Sequence, residues 1–100
     1  MGGQLLIEQR LHRAVDEEQL HLVYQVVCNA DTGRITGAEA LLRWTDEELG
    51  AISPEEFVPI AEEVGLIVPL GEWVLREACA QVRRMRSHGL EDLRVSVNLS

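Results

Sequence analysis

Lysine is absent from this chain. Its nine basic residues are all arginine, set against 17 Asp and Glu, for a formal net charge of -8 and a pI near 4.7. So acidic a chain repels a phosphate backbone, which argues against a broad surface for a nucleic-acid polymer. A small phosphorylated ligand held by one or two placed arginines is still allowed, because local charge decides that. Cysteine is scarce as well. Cys28 and Cys79 are too few for a disulfide framework or a metal cluster, and each sits in an apolar run that reads as buried. No apolar stretch is long enough to span a membrane, and the N-terminus has no signal-peptide pattern. The segment is therefore expected to make no membrane contact and to reside in a reducing cytoplasm. Low-complexity tracts are missing too. At 46% hydrophobic and 26% charged, the 100 residues have the composition of one small globular domain or of a piece of a larger one.

What is present falls into well-marked elements. Residues 4–16 carry Ile7, Leu11, Ala14 and Val15 at helical spacing. Residues 20–28, LHLVYQVVC, are rich in β-branched and aromatic types and predict a strand. NADTG at 29–33 is turn chemistry, and 34–44 predict a second strand, so the two should form an antiparallel hairpin. Ser53-Pro54-Glu55-Glu56 has the pattern of a capping box opening a helix. Its apolar stripe is Phe57, Ile60, Ala61 and Val64, Gly65 is its stop, and a kink or loose turn is expected at Pro59. A further helix is expected over 70–88, with Trp73, Val74, Ala78, Val82 and Met85 turned inward. Residues 93–100 alternate, with Leu93, Val95, Val97 and Leu99 on one face and Arg94, Ser96, Asn98 and Ser100 on the other. A strand reached through two helices should lie parallel to the strand before them.

The conspicuous residue is Glu39, inside the apolar run Ala38, Ala40, Leu41 and Leu42. A buried carboxylate costs several kcal/mol, on the order of a lost ion pair, unless it is paired, protonated or bound to a metal. Strand alternation puts Gly37, Glu39, Leu41 and Arg43 on one face. On these residues alone, Glu39 reads either as an ion-pair partner of Arg43 or as a metal ligand. Asn98 reads as a strand-end residue that faces the same way. His12, His21 and His88 are scattered without metal-ligand spacing and read as structural or surface residues.

The order and spacing of the longer motifs narrow the choice. Tyr24-Gln25, TGxxxGxEALLRW over 32–44, GxISPxxFVPxAExxGLI over 50–67 and VNLS over 97–100 together resemble the EAL family of cyclic di-GMP phosphodiesterases. Val26 stands where the family usually has proline, and the acidic loop TDEEL at 45–49 lacks the common His-Pro. The resemblance implies an α/β chain forming the first part of a variant TIM-type barrel, in which an antiparallel first hairpin is followed by a helical crossover to a parallel strand. It implies that Glu39 and Asn98 are metal ligands, that Arg43 contacts a phosphate, and that Gln25 and Leu42 lie in the substrate cleft. The cofactors implied are Mg²⁺ or Mn²⁺ in a two-metal site, and the ligand is cyclic di-GMP.

A TIM-type barrel needs about 250 residues. Residues 4–100 are therefore expected to be the N-terminal portion of an EAL domain, incomplete at the C-terminus, with 1–3 an initiation or linker remnant. No catalytic residue is assigned within the segment, and the chain alone is expected to be inactive. A half-covered sheet also invites self-association or a homodimer. The alternative function is that of a degenerate EAL domain, a receptor or interaction module that binds the nucleotide without cutting it.

Overall fold

The computed structural model describes residues 2–17 and 19–99. Helix α1 (Gly2–Asp16) leads into β1 (Leu20–Cys28) and β2 (Ile35–Asp46), which pair antiparallel from Leu20↔Trp44 to Cys28↔Ile35. Turn chemistry sets this register. Asn29 Oδ1 accepts the N–H groups of Asp31 and Thr32 at 2.9 and 3.0 Å, and Gly33 takes the left-handed conformation that closes the loop. A short β3 (Gly50–Ile52) folds back on the end of β2, pairing Trp44↔Ile52 through Asp46↔Gly50. The chain then crosses through α2 (Pro54–Val64) and α3 (Ile67–Ser87) to β4 (Arg94–Val97), which pairs parallel with β2 from Gly37↔Arg94 to Ala40↔Val97. Both expected pairings, the antiparallel hairpin and the parallel crossover strand, are present. Strand β2 runs to Asp46, two residues into the segment read as loop, and β3 follows directly after that segment.

One face of β2 supplies the core. Ala38, Ala40, Leu42 and Trp44 are buried, while Glu39, Leu41 and Arg43 between them face away from the helices. Trp44 meets Phe57 of α2 edge-on, with ring centroids 5.4 Å apart and planes at 86°, an arrangement aromatic pairs favour. Leu70, Trp73 and Val74 of α3 and Leu11 and Ala14 of α1 close the same cluster. Tyr24, half-buried against α3, has its hydroxyl pKa raised by burial and, secondarily, by Glu77, against a lowering effect of Arg84.

Helix α1 is fastened to the β2–β3 turn by charge. Asp46, buried at the end of β2, accepts the backbone N–H groups of Glu48 and Leu49 at 2.9 and 3.0 Å. Arg10 of α1 reaches over this turn, with Nε 3.6 Å from Asp46 Oδ2 and Nη2 2.6 Å from Glu48 Oε2.

Several local expectations are corrected. Cys28 and Cys79 are exposed rather than buried, because β1 runs past the end of the helical cover and position 79 falls on the outer side of α3. Ser53 makes no side-chain cap bond; its carbonyl accepts the N–H groups of Glu56 and Phe57 instead, so the capping box is one of sequence only. Pro59 lies inside α2 as expected, and the one bond it deletes is to the carbonyl of exposed Glu55. Helix α3 begins at Ile67, three residues early, since Pro69 sits in a first turn whose N–H groups have no helical acceptor anyway. Val64 is exposed, and Val82 and Met85 are half-buried, because the cover thins toward the ends of both helices.

Two outcomes follow from this packing. Phe57→Ala empties the contact between α2 and Trp44 and should cost about 3–5 kcal/mol in urea denaturation at pH 7. The Asp46 carboxyl is held below its ordinary value by the Leu49 N–H first, then by the Glu48 N–H, Arg10 and Arg13, against burial, which pushes it up. A depressed folded-state value means that its stabilisation is full above the unfolded carboxylate range and is lost as pH falls through the folded value. The urea midpoint of the wild type should therefore drop more between pH 7 and pH 3 than that of Asp46→Asn, which keeps an acceptor but has no charge to lose.

Candidate functional site

The site is built on the sheet face turned away from the helices. In register, Gln25 of β1, Glu39 of β2 and Ser96 of β4 form one row across three strands. Residues paired across a ladder project to the same side, so this row collects an amide, a carboxylate and a hydroxyl. Glu39 is half-buried rather than buried, Arg43 is exposed, and among the described residues no ion pair joins them. Of the two readings of Glu39, the ion pair with Arg43 is thus not formed among the described residues. The Arg43 Nη1 instead donates to the carbonyl of Leu42 at 3.0 Å.

The two partners on the outer edge of β2 leave a gap. Strand β4 takes residues 37–40 and β3 takes 44–46, so among the described residues Leu41, Leu42 and Arg43 have no ladder partner on that side. A cleft of about 430 Å³ opens there. It is lined by Glu39, Leu41, Leu42 and Arg43 of β2, by Asn98 and Leu99 just past β4, and by Pro54, Glu55, Val58, Pro59 and Glu62 of α2. Four of the residues singled out in the sequence, Glu39, Leu42, Arg43 and Asn98, thus line one cleft. Leu42 reaches it through the edge gap although its side chain is buried on the helix face. Gln25 does not line this cleft and lies across the ladder from Glu39.

Glu55 and Glu62, both exposed on α2, also line the cleft. Positions 55, 58, 59 and 62 form one stripe of α2 at helical spacing, a signal that was legible once the opposite stripe, Phe57, Ile60 and Ala61, was assigned to the core. Glu39 and Asn98 offer a carboxylate and an amide oxygen, the hard donors that Mg²⁺ and Mn²⁺ prefer. Among the described residues, no group of three or more His, Cys, Asp or Glu side chains is placed to hold a metal. Glu39 and Asn98 are thus two oxygen donors lining one cleft.

Comparison with known proteins agrees with this architecture. The EAL domain family profile matches residues 8–100, and the chain belongs to that family. It is 50% identical over 84 residues to the cyclic di-GMP phosphodiesterase PA2567 of Pseudomonas aeruginosa, covering 84% of this chain and 14% of that protein. It is 46% identical over 97 residues to the bifunctional diguanylate cyclase/cyclic di-GMP phosphodiesterase MucR of the same organism, covering 97% of this chain and 14% of the relative. The solved PaMucR phosphodiesterase in complex with c-di-GMP superposes with a TM-score of 0.87 at 45% identity, over 95% of this chain and 38% of the other. The chain thus spans a small part of the curated relatives it matches. EAL domains are TIM-barrel-like, which agrees with the expected fold class. Among the described residues, no helix is long and apolar enough to cross a membrane.

The row across the strands depends on Gly37. A Cβ there would stand 3.0 Å from the carbonyl oxygen of Arg94, a backbone atom fixed in the ladder. Gly37→Val should cost roughly 1–3 kcal/mol by forcing β4 away. Amide-exchange protection in β4 is expected to fall about tenfold while the β1–β2 ladder keeps its own.

Proposed function

We propose that this chain carries the front part of the cyclic di-GMP site of an EAL phosphodiesterase domain, whose complete form hydrolyses cyclic di-GMP to the linear dinucleotide with divalent metal. The observation that carries this reading is the shared cleft, in which Glu39, Arg43 and Asn98 line one cavity beside the β2 edge gap. Family membership and the phosphodiesterase relatives support it.

In this reading residues 4–100 are the N-terminal portion of the domain. Glu39 and Asn98 supply two oxygen donors to a divalent cation, Mg²⁺ or Mn²⁺. When bound, such a cation provides charge neutralisation at the phosphodiester and a water of lowered pKa. Arg43 presents a planar fork to phosphate oxygens, and it stands at the cleft with no competing carboxylate paired to it among the described residues. Leu42 and Leu41 give the cleft its apolar wall, and Gln25 offers an amide to the ligand from the neighbouring strand. Two protein donors are well short of the six oxygens that Mg²⁺ requires, so metal and substrate need ligands beyond these.

Titration with cyclic di-GMP in EDTA tests the binding half of this function. Arg43→Ala should weaken affinity about tenfold or more, the worth of a charge-assisted hydrogen bond. Unchanged affinity would remove Arg43 from the site. The second half is tested by turnover with Mn²⁺. The chain 1–100 is expected to release no linear dinucleotide, and a complete domain that includes it is expected to do so. Binding by that complete domain without turnover would identify the receptor alternative instead.

A further inference from the structure

The β1–β2 register sets His21 directly opposite Arg43. Directly opposed residues of an antiparallel pair hold their Cβ atoms about 4.5–5.5 Å apart, and like charges in that position repel. Both side chains are exposed, and both line an open cleft with Val23, Ser53, Pro54 and Glu55. Arg43 also lines the cleft of Glu39 and Asn98, so the two cavities meet at its side chain. The arginine assigned to a phosphate therefore has an imidazole at its side. The other histidines are placed differently. His12 is exposed on α1, and His88 Nδ1 lies 2.7 Å from the carbonyl oxygen of Arg84 at the end of α3.

We propose that His21 is a second anion-binding group of this rim, its protonated imidazole joining the Arg43 guanidinium on a phosphate of the cyclic dinucleotide, an assignment that rests on the cyclic di-GMP reading above. An anion between the two converts their mutual repulsion into two attractions, and the imidazole adds a donor from the β1 side that the β2 arginine alone cannot supply. Imidazoles change charge between pH 5 and pH 8, whereas an arginine side chain stays charged throughout. Among the described residues, two charged groups line this cleft with His21. These are Arg43 of β2 and Glu55 of α2, while β3 contributes the uncharged Ala51 and Ile52. A phosphate attracts the protonated form of an imidazole, so affinity should rise as pH falls.

The test is an NMR-detected titration of a complete EAL domain that includes this chain with cyclic di-GMP in EDTA at pH 5.5 and pH 8.0, for the wild type, His21→Gln, Glu55→Gln and Arg43→Ala. The wild type should bind about three- to tenfold more tightly at the lower pH, the size of one added charge-assisted hydrogen bond. His21→Gln should lose most of that difference, and Glu55→Gln should keep it. In the imidazole spectra, ligand should shift the His21 ring resonances and leave those of His12 and His88 in place. A pH difference that survives in His21→Gln, or one that vanishes in Glu55→Gln instead, overturns the proposal and leaves Arg43-dependent binding standing. Absence of binding by the wild type at both pH values overturns the proposal together with the cyclic di-GMP reading beneath it.

Discussion

The structure depends on the alternation of side chains along β2. Because successive residues point to opposite faces, the same run of letters delivers Ala38, Ala40, Leu42 and Trp44 to the helices and Glu39, Leu41 and Arg43 to the other side. Apolar burial on one face holds the strand still, and that rigidity lets a carboxylate and a guanidinium keep fixed positions on the other. Every other strand pairs with β2. A slip of one residue would exchange the faces, putting Glu39 into the core and Trp44 into the cleft, so core and site specify the same register.

The helices serve that arrangement in different ways. Helix α2 contributes Phe57, which locks against Trp44, and also the stripe of Glu55, Val58, Pro59 and Glu62 that walls the cleft. One element thus ties the stability of the core to the shape of the site. Helix α1 is held from outside, through Arg10 and the buried Asp46. Its grip falls on the β2–β3 turn, immediately beyond Arg43.

Much of this was legible in the sequence where periodicity is strong. The hairpin, the parallel return of β4 and the common face of Glu39 and Arg43 all follow from period-two patterns flanked by turn residues. The less legible features depend on where cover stops. Cys28 looks like a core residue in its apolar run, but β1 outlasts the helices above it. Glu39 looked fully buried among its neighbours, yet the face it shares carries no helix. The gap at 41–43 could not be read at all, since it arises from the separate lengths of β3 and β4 on one edge. Pro69 resembles a boundary in sequence and is harmless in a first helical turn.

That edge gap has a consequence for how the site could change over evolutionary time. Its width is metered by backbone arithmetic, four residues claimed by β4 and three by β3, with three left between them. Extending β4 pairing by two residues would keep every side chain on its present face and still shut the opening. Shortening β3 would widen it at equally little cost to the core. The aperture can thus be retuned by strand length, with Asn98 and Leu99 the cleft-lining residues that a longer β4 would draw into the ladder.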